Sequence, residues 1–522
     1  MAKLKIRFLP FGVHADVEQG TLISDAAKAA GVKIKLPCNG NGRCGRCNVL
    51  VSRPGATNIC SMERLLACQT RIEEDLTISV PFDEGDIIAS KDHRKIDIDD
   101  LTPIVTSQRK NNYGLAVDIG TTTIAVALMD MKKGIGLYSA TDYNRQGIHG
   151  DDVLSRIEYA AEGGTDELRS LVTDTINDLI DSFIGDGFTT DDIIAAYISG
   201  NTTMTHLFLG INPSPIREPP YEPVVKEAEL TGKDSRLHVN KDAKVICMPS
   251  PAAYVGGDIT SDIVNSGMDS ADELALLIDV GTNGEVALGN KDVMLVCSSS
   301  AGPAFEGGKM TSGMMARPGA IDSFRIDEKG GFNYTVIAGT DPKGICGSGL
   351  IDILAQLSIH GLIDKKGRFT EKAKSKQVNE SKRITIAKNV FISEDDIQNA
   401  ILTKAAIYSA SRSLIRGLGV TMNDVKTIYL AGGFGNFINT ESAIAIGMMP
   451  DVPRERFAYL GNASLAGAKQ ALLSASVRSR ISEVFKRMTY VDLSSDATFS
   501  DEYTSSLFLP HTDASQFPTY MK

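Results

Sequence analysis

Leu115-Ala116-Val117-Asp118-Ile119-Gly120-Thr121-Thr122-Thr123-Ile124-Ala125-Val126 and Leu276-Leu277-Ile278-Asp279-Val280-Gly281-Thr282-Asn283-Gly284-Glu285-Val286-Ala287 are one pattern written twice. Each copy is an apolar run ending in Asp, a glycine-bearing turn and a second apolar run. That order predicts a buried strand, a tight turn and a returning strand. The two aspartates stand 161 positions apart. From Tyr113 onward strands alternate with helical stretches, so the repeat predicts a two-lobed α/β domain with one lobe built twice.

The residue types in the turns suit nucleotide phosphates. Glycine lets backbone N–H groups approach phosphate oxygens, and threonine hydroxyls add donors. An Asp at each strand end can hold a hydrated Mg²⁺ from opposite sides. The candidate nucleotide-binding residues are therefore Asp118, Gly120, Thr121, Thr122 and Thr123, with Asp279, Gly281, Thr282, Asn283 and Gly284. A third element, Tyr429-Leu430-Ala431-Gly432-Gly433-Phe434-Gly435-Asn436, is a glycine-rich turn after a strand, against which adenosine can lie. One hairpin alone is as often a plain β-turn; three elements in this order point to ATP. Ser199-Gly200-Asn201-Thr202-Thr203-Met204 follows a strand and opens a helix, which makes Asn201 a candidate to orient an attacking water. Asp258, after Gly256-Gly257, and Glu285 are candidates for a second water or metal contact. A cap or a turn explains each of these three equally well. The elements resemble the phosphate-1, phosphate-2 and adenosine motifs of the actin/Hsp70/sugar-kinase superfamily.

At the other end of the chain stands Cys38-Asn39-Gly40-Asn41-Gly42-Arg43-Cys44-Gly45-Arg46-Cys47. Three thiols and three glycines in ten residues suit a loop wrapped around an iron–sulfur cluster, because glycine reaches the positive-φ conformations such wrapping needs. A fourth ligand comes from Cys60 or Cys68, and we choose Cys68 in Ala67-Cys68-Gln69. A structural zinc site is the rival, but it is usually built from two CxxC pairs and only Cys44–Cys47 forms one. The x5-x2 spacing and the Ala67-Cys68-Gln69 segment resemble the adrenodoxin-like [2Fe-2S] ferredoxins. Around this loop, strands are expected at Lys3–Leu9, Val13–Val17, Val49–Val51 and Leu76–Val80. Ser24 is expected to cap a helix over Asp25–Ala30 that ends at Gly31, which completes a small β-grasp module.

The bulk numbers agree with several domains. The chain has 522 residues, 42% apolar and 23% charged, and a net charge of −11. Residues 1–80 carry +4 and the rest −15, without a basic run that would suit nucleic acid. No long apolar stretch suggests a membrane span, and Lys3, Lys5 and Arg7 break up any leader, so a cytoplasmic protein with reduced cysteines is expected. Cys247, Cys297 and Cys346 read as core residues, and His149 and His206 as structural. The expected division is a ferredoxin domain over 1–80, a linker over 81–111 with an extended edge at Ile96–Ile98, and an ATPase over 112–522.

Together these features resemble the reductive activators of corrinoid proteins. The likeness runs through Asn144-Arg145-Gln146, Gly150–Ile157, Gly200–Met204, Ala301–Gly307 and Ser506–His511. It implies an ATP-driven one-electron reduction of Co(II) to Co(I) on a corrinoid protein of a methyltransferase system. It also implies a [2Fe-2S] cluster on Cys38, Cys44, Cys47 and Cys68, MgATP between Asp118 and Asp279, a low-potential electron donor and a homodimer. Larger members carry a separate middle domain before the ATPase, and residues 81–111 are too few for one. Two other readings remain at this stage: an activator of a radical dehydratase or reductase, and a small-molecule kinase with a fused redox domain.

Overall fold

In the first strand Ile6 and Phe8 are fully buried while Lys5 and Arg7 face solvent. This alternation makes Leu4–Leu9 (β1) a half-buried strand with one apolar face. The computed structural model describes residues 3–9, 13–30, 32, 34, 47–52, 63–79, 90–91, 96–150, 152–184, 189–281, 283–308, 310–374, 378, 382–432 and 438–520. Val13–Val17 (β2) returns along β1, and Ile23–Ala29 (α1) lays Ile23, Ala26 and Ala27 on the sheet. Asn48–Ser52 (β3), Glu63–Leu66 (β4) and Leu76–Ser79 (β5) complete the order β2-β1-β5-β3-β4. Strand β4 was not expected. Ser24 does not cap α1: the helix starts two residues earlier, at Ile23, after Leu22, which offers no side-chain cap, and Ser24 lies buried inside it. Gly31 lies outside the described residues.

Ser90–Lys91 (β6) precedes the first large sheet and joins its edge. That sheet comprises Tyr113–Ile119 (β7), Thr123–Asp130 (β8), Ile135–Tyr143 (β9), Ile193–Gly200 (β10), Ala228–Thr231 (β11) and Lys244–Cys247 (β12), ordered β11-β12-β10-β7-β8-β9-β6. Its helices are Val153–Tyr159 (α2), Thr165–Asp181 (α3), Thr202–Leu209 (α4), Gly232–Ser235 (α5) and Gly257–Ser266 (α6).

The second lobe contains Ala275–Val280 (β13), Gly284–Gly289 (β14), Met294–Ser299 (β15), Ala320–Ile326 (β16), Phe332–Val336 (β17), Gly344–Ile345 (β18), Arg383–Ala387 (β19) and Val390–Ser393 (β20). Thr427–Ala431 (β21), Phe457–Gly461 (β22) and Met488–Tyr490 (β23) follow. Its helices are Gly347–Ile359 (α7), Glu371–Lys374 (α8), Glu394–Gly417 (α9), Thr440–Ala445 (α10), Ala463–Leu473 (α11), Ala475–Arg487 (α12) and Ala497–Ser506 (α13). The main sheet runs β22-β21-β13-β14-β15-β23.

The duplication is visible in the ladders. β7-β8-β9 and β13-β14-β15 are both antiparallel meanders, and each continues through two parallel strands, β10-β12 in one lobe and β21-β22 in the other. α6 follows β12 and α11 follows β22, so the two helices occupy equivalent places. They pack on each other between the sheets, and one apolar core unites Ala116, Tyr197, Ile259, Ile263, Leu277, Ala287, Ala468 and Leu472 from both lobes.

Residues 96–112 are not a free tether. Ile96, Ile98, Ile104 and Val105 pack on that shared core, and Ile96–Ile98 forms no strand; the edge strand is β6. Asn112 is buried and holds Ser107 with its side-chain oxygen, accepting from the backbone N at 2.8 Å and from the hydroxyl at 2.7 Å.

Gly467 of α11 sits against α6, where an added Cβ would lie 2.7 Å from the Ser261 carbonyl oxygen. Gly467→Ala is therefore expected to lower unfolding stability by about 1–3 kcal/mol, seen as a lower denaturant midpoint. Gly417→Ala, in an exposed stretch of α9 with nothing nearby, is the control and should be neutral or slightly stabilising.

Candidate functional site

The two hairpin turns face each other across a cavity of about 730 Å³, within the range of small-molecule and cofactor sites. Asp118, Gly120, Thr121, Thr122, Thr123, Asn201, Asp258, Asp279, Gly281, Asn283, Glu285 and Gly432 all line it. Gly432 has φ of +90° and comes so close to Val280 that a Cβ would lie 2.8 Å from its carbonyl oxygen, so only glycine fits. Gly284 is not at the wall; it is the point where Ile407 of α9 crosses β14. Thr282, Gly433 and Gly435 lie outside the described residues.

The two aspartates meet different neighbours. Asp118 accepts from Asn462 Nδ2 at 2.8 Å and from Ser464 Oγ at 2.7 Å, both at the N-terminus of α11. Asp279 instead faces α6, whose Asp258 and Asp262 lie one helical turn apart, and it pairs in register with Glu285 on β14. Burial and the neighbouring Asp279 push Asp258 up to about 7. Glu285, raised first by burial and then by Asp258, and Asp262, raised by burial and then by Asp279, stand well above the ordinary carboxylate range. Burial also raises Asp118, against the opposing pull of Ser464 and Asn462.

Asp262 is fully buried, and among the described residues neither of its oxygens receives an N–H or O–H donor. Its carboxyl neighbour Asp279 can bond to it only if one of the two carries a proton. The Asp-x-x-x-Asp spacing on a helix was the signal that would have found Asp262 beside Asp258. Asn462 and Ser464 had no such signal, being separated from Asp118 by most of the chain. Hard, oxygen-rich and short of positive charge, this donor set suits Mg²⁺ held partly through water. Among the described residues no three acidic, His or Cys side chains converge on one ion directly.

Asn201 is occupied on both sides. Its Oδ1 caps α4 at the Met204 N–H, 2.9 Å away, and its Nδ2 donates to Thr121 Oγ1 at 3.1 Å. Behind the first turn, Asn144 Nδ2 donates to the Gly120 carbonyl at 2.9 Å, and Asn144 Oδ1 accepts from the Gln146 N–H. The buried Arg156 in turn reaches Gln146 Oε1 and the Gly150 carbonyl. This explains physically why Asn144–Gln146 and Gly150–Ile157 belong with the site. His149 bonds Glu167 and stacks on Tyr159; His206 joins the Thr202 carbonyl to the Val224 N–H. Both are structural.

In the small domain Cys47 and Cys68 are buried with their Sγ atoms 3.2 Å apart, too far for a disulfide. The Ala67 N–H donates to the Cys47 carbonyl at 2.8 Å and fixes this approach, and Gln69 Nε2 points at Cys68 Sγ from 3.6 Å. Burial raises the Cys47 thiol, so a thiolate here requires a cationic partner. Two facing buried thiols with an amide directed at one sulfur fit an iron–sulfur cluster. Cys38, Cys44 and Cys60 lie outside the described residues.

The raised carboxyl groups make a prediction. Between the ordinary value of 3.8 and about 7 for Asp258, the folded protein binds more protons than the unfolded chain. Stability of the nucleotide- and metal-free protein is then highest at the acid end of that window and is lost as pH rises through it. Its melting temperature should be about 1–2 °C lower at pH 8 than at pH 6. MgADP should close most of that gap, and Asp262→Asn should narrow it without nucleotide. Calorimetry at the two pH values checks this.

Comparison with known proteins gives the family. A family model for the 2Fe-2S iron-sulfur cluster binding domain matches residues 7–73. The RACo middle region matches 113–271, which is the first lobe, so a middle-region match exists but does not lie in 81–111. The C-terminal domain of RACo, the ASKHA domain, matches 273–521. The corrinoid activation enzyme RamQ of Eubacterium limosum is 30% identical over 96% of this chain and 98% of its own. A Co(II) methylated amine-specific corrinoid protein reductase of Methanosarcina barkeri is 25% identical over 76% of each chain. A solved reductive activator for a corrinoid, iron-sulfur protein superposes with a TM-score of 0.75 at 34% identity, covering 99% of this chain and 100% of that one. The chain belongs to the family of reductive activators of corrinoid proteins.

Proposed function

We propose that this chain uses ATP to drive the one-electron reduction of a corrinoid protein's inactive Co(II) to Co(I). The observation that carries the reading is the union, in one chain, of a carboxyl-lined cleft between two Asp-x-Gly-Thr hairpins and a pair of facing buried thiols. Cys38, Cys44, Cys47 and Cys68 hold a [2Fe-2S] cluster, which when bound supplies a one-electron carrier. Among plant-type ferredoxins that carrier sits near about −400 mV. Each unfavourable gap of about 59 mV costs about 1.4 kcal/mol for one electron, and ATP is what offsets it.

The cleft residues divide the work. Thr121, Thr122 and Thr123 donate to phosphate oxygens with the backbone of Gly120, while Asn283 and Gly281 do so from the opposite turn. Asp118 and Asp279 hold hydrated Mg²⁺, which when bound supplies charge neutralisation. Asn201 keeps Thr121 in place and orients the attacking water; Asp258 and Glu285 contact a second water or the metal's hydration shell. Lobe closure on the nucleotide alters docking of the corrinoid protein and displaces an axial ligand of its Co(II), which raises the cobalt potential. A homodimer, a methyltransferase partner system and a separate low-potential donor complete the proposal. The radical-dehydratase and kinase readings lack comparable support, since the relatives named above act on corrinoid proteins. Among the described residues no helix is long and apolar enough to cross a membrane.

The test is anaerobic absorbance spectroscopy of a Co(II) corrinoid carrier with this protein and a low-potential reductant. Co(I) should grow in only with MgATP. Cys68→Ala should abolish it, and Asp279→Ala should slow it by about 10–100-fold through lost metal affinity. Removing Mg²⁺ with a chelator should stop it. Equal Co(I) formation without ATP would overturn the reading.

A further inference from the structure

Helix α11 touches two places that matter. At its N-terminus Asn462 Nδ2 and Ser464 Oγ hold the two oxygens of Asp118, and Ser464 Oγ also lies 2.9 Å from Ser199 Oγ. Asn462 Oδ1 meanwhile caps the helix at the Leu465 N–H, 2.7 Å away. At the other end, the carbonyls of Leu473 and Leu472 accept from the backbone N–H groups of Thr102 (2.8 Å) and Ile104 (2.9 Å). Asp100 then anchors the start of α12, accepting from the Ala475 N–H at 3.2 Å and from the hydroxyls of Ser474 and Ser476. Arg478 donates to the Thr102 carbonyl at 2.8 Å. Eleven residues of helix span about 16 Å, and the close seat of Gly467 on α6 leaves α11 little room to bend.

Building on the ATP-driven reading above, we propose that Asn462 and Ser464 are positioning residues through which α11 couples Asp118 to the strap 96–104. The strap leads back to the electron-carrying domain. Asp118 has a fixed number of lone pairs, and a hydrated cation with its nucleotide competes for the same two oxygens that α11 holds. When they turn toward the nucleotide, the grip on α11 slackens. A shift of the helix along its length then breaks the Thr102 and Ile104 bonds at its far end. Upstream of these two bonds the segment is tied by the Ile96 N–H to the Gly134 carbonyl at 3.1 Å, by Gln470 Nε2 to the Asp97 carbonyl at 3.4 Å and by the two-residue edge strand β6, and so short a pairing is weak. Nucleotide binding thus loosens the tether of the electron carrier.

The sign separates this from plain ligand stabilisation. Amide exchange is measured on the full-length, cluster-loaded protein with and without a non-hydrolysable MgATP analogue, with binding followed by calorimetry. The analogue should speed exchange at Thr102 and Ile104 about fivefold while slowing it in β7 and β13. Asn462→Asp keeps the helix cap but sets a like charge against Asp118; it should speed exchange at both amides without nucleotide and remove the response. Ser464→Thr, which keeps the hydroxyl, should respond as the parent does. Asp100→Ala, by releasing the strap that nucleotide must otherwise loosen, should raise analogue affinity by up to about fivefold, yet reduce the ATP dependence of Co(I) formation about tenfold. Arg478→Ala serves the same purpose if Asp100→Ala melts early. Exchange at Thr102 and Ile104 that is unchanged, or slowed with the core, while the analogue binds would overturn the coupling and leave ATP-driven reduction standing. Failure of the parent protein to bind the analogue would overturn both.

Discussion

Like charges brought together at a buried seam are the constraint on which this molecule turns. Asp118, Asp258, Asp262, Asp279 and Glu285 meet where two lobes join, and burial disfavours the charged form of Asp118, Asp258, Asp262 and Glu285. A carboxylate moved out of water must find a proton, a donor or a cation, since an isolated buried charge is too costly to keep. The duplicated fold gives its halves different answers. Asp118 receives an amide and a hydroxyl from α11, so it is satisfied by neutral donors. Asp279 faces acids from α6 and its strand partner Glu285, and these neighbouring carboxyl groups raise one another. The pseudo-symmetric scaffold is therefore electrostatically lopsided, and the acidic side favours a cation. A cation bound among these acids offsets the cost of burying them.

Any response to that cation must pass through α6 and α11, the equivalent helices between the sheets. Their shared core takes residues from β7, β8, β10, β13 and β14 together, so neither lobe moves without repacking against the other. Gly467 is the price of their close approach: no side chain fits between α11 and the Ser261 carbonyl. Close-packed interiors shift between discrete arrangements rather than deforming smoothly, which suits a site required to switch rather than drift.

What the chain discloses before folding follows from how far apart the interacting residues lie. The two Asp-x-Gly-Thr hairpins are legible because strand, turn and strand are written consecutively, and the ladders place Asp118 opposite Ala125 and Asp279 opposite Glu285 as that order requires. Cys47 and Cys68 are legible for a related reason, because thiols at cluster spacing leave few alternatives. Asp262 was readable from its place one turn beyond Asp258, but a lone i,i+4 pair is common enough to pass unnoticed. Asn462 and Ser464 were not readable: nothing local to Gly461–Leu465 says that its hydroxyl and amide will meet an aspartate from the first hairpin. The strap misled in the opposite direction. Its charged, proline-bearing composition reads as a linker, yet its four spaced aliphatic residues, Ile96, Ile98, Ile104 and Val105, find a core surface on distant helices. Ser24 failed as a cap because tertiary burial of Ile23 started α1 two residues early.

A carrier near the potential of a [2Fe-2S] ferredoxin donates to almost any acceptor it can touch, so its reach needs as much control as its potential. Electron transfer falls off steeply with distance, and a tethered domain visits partners at an effective concentration set by tether length. Residues 96–104, if released and extended, add up to about 30 Å of reach; docked on α11 and α12, they add almost none. Holding the strap by hydrogen bonds to the same helix that holds Asp118 makes reach depend on the occupant of the cleft. Such an arrangement spends ATP at the moment when transfer is wanted and keeps the carrier close at other times. It also leaves the cluster's own potential untouched, which places the thermodynamic burden on the cobalt side, where closure on the docked corrinoid protein can act.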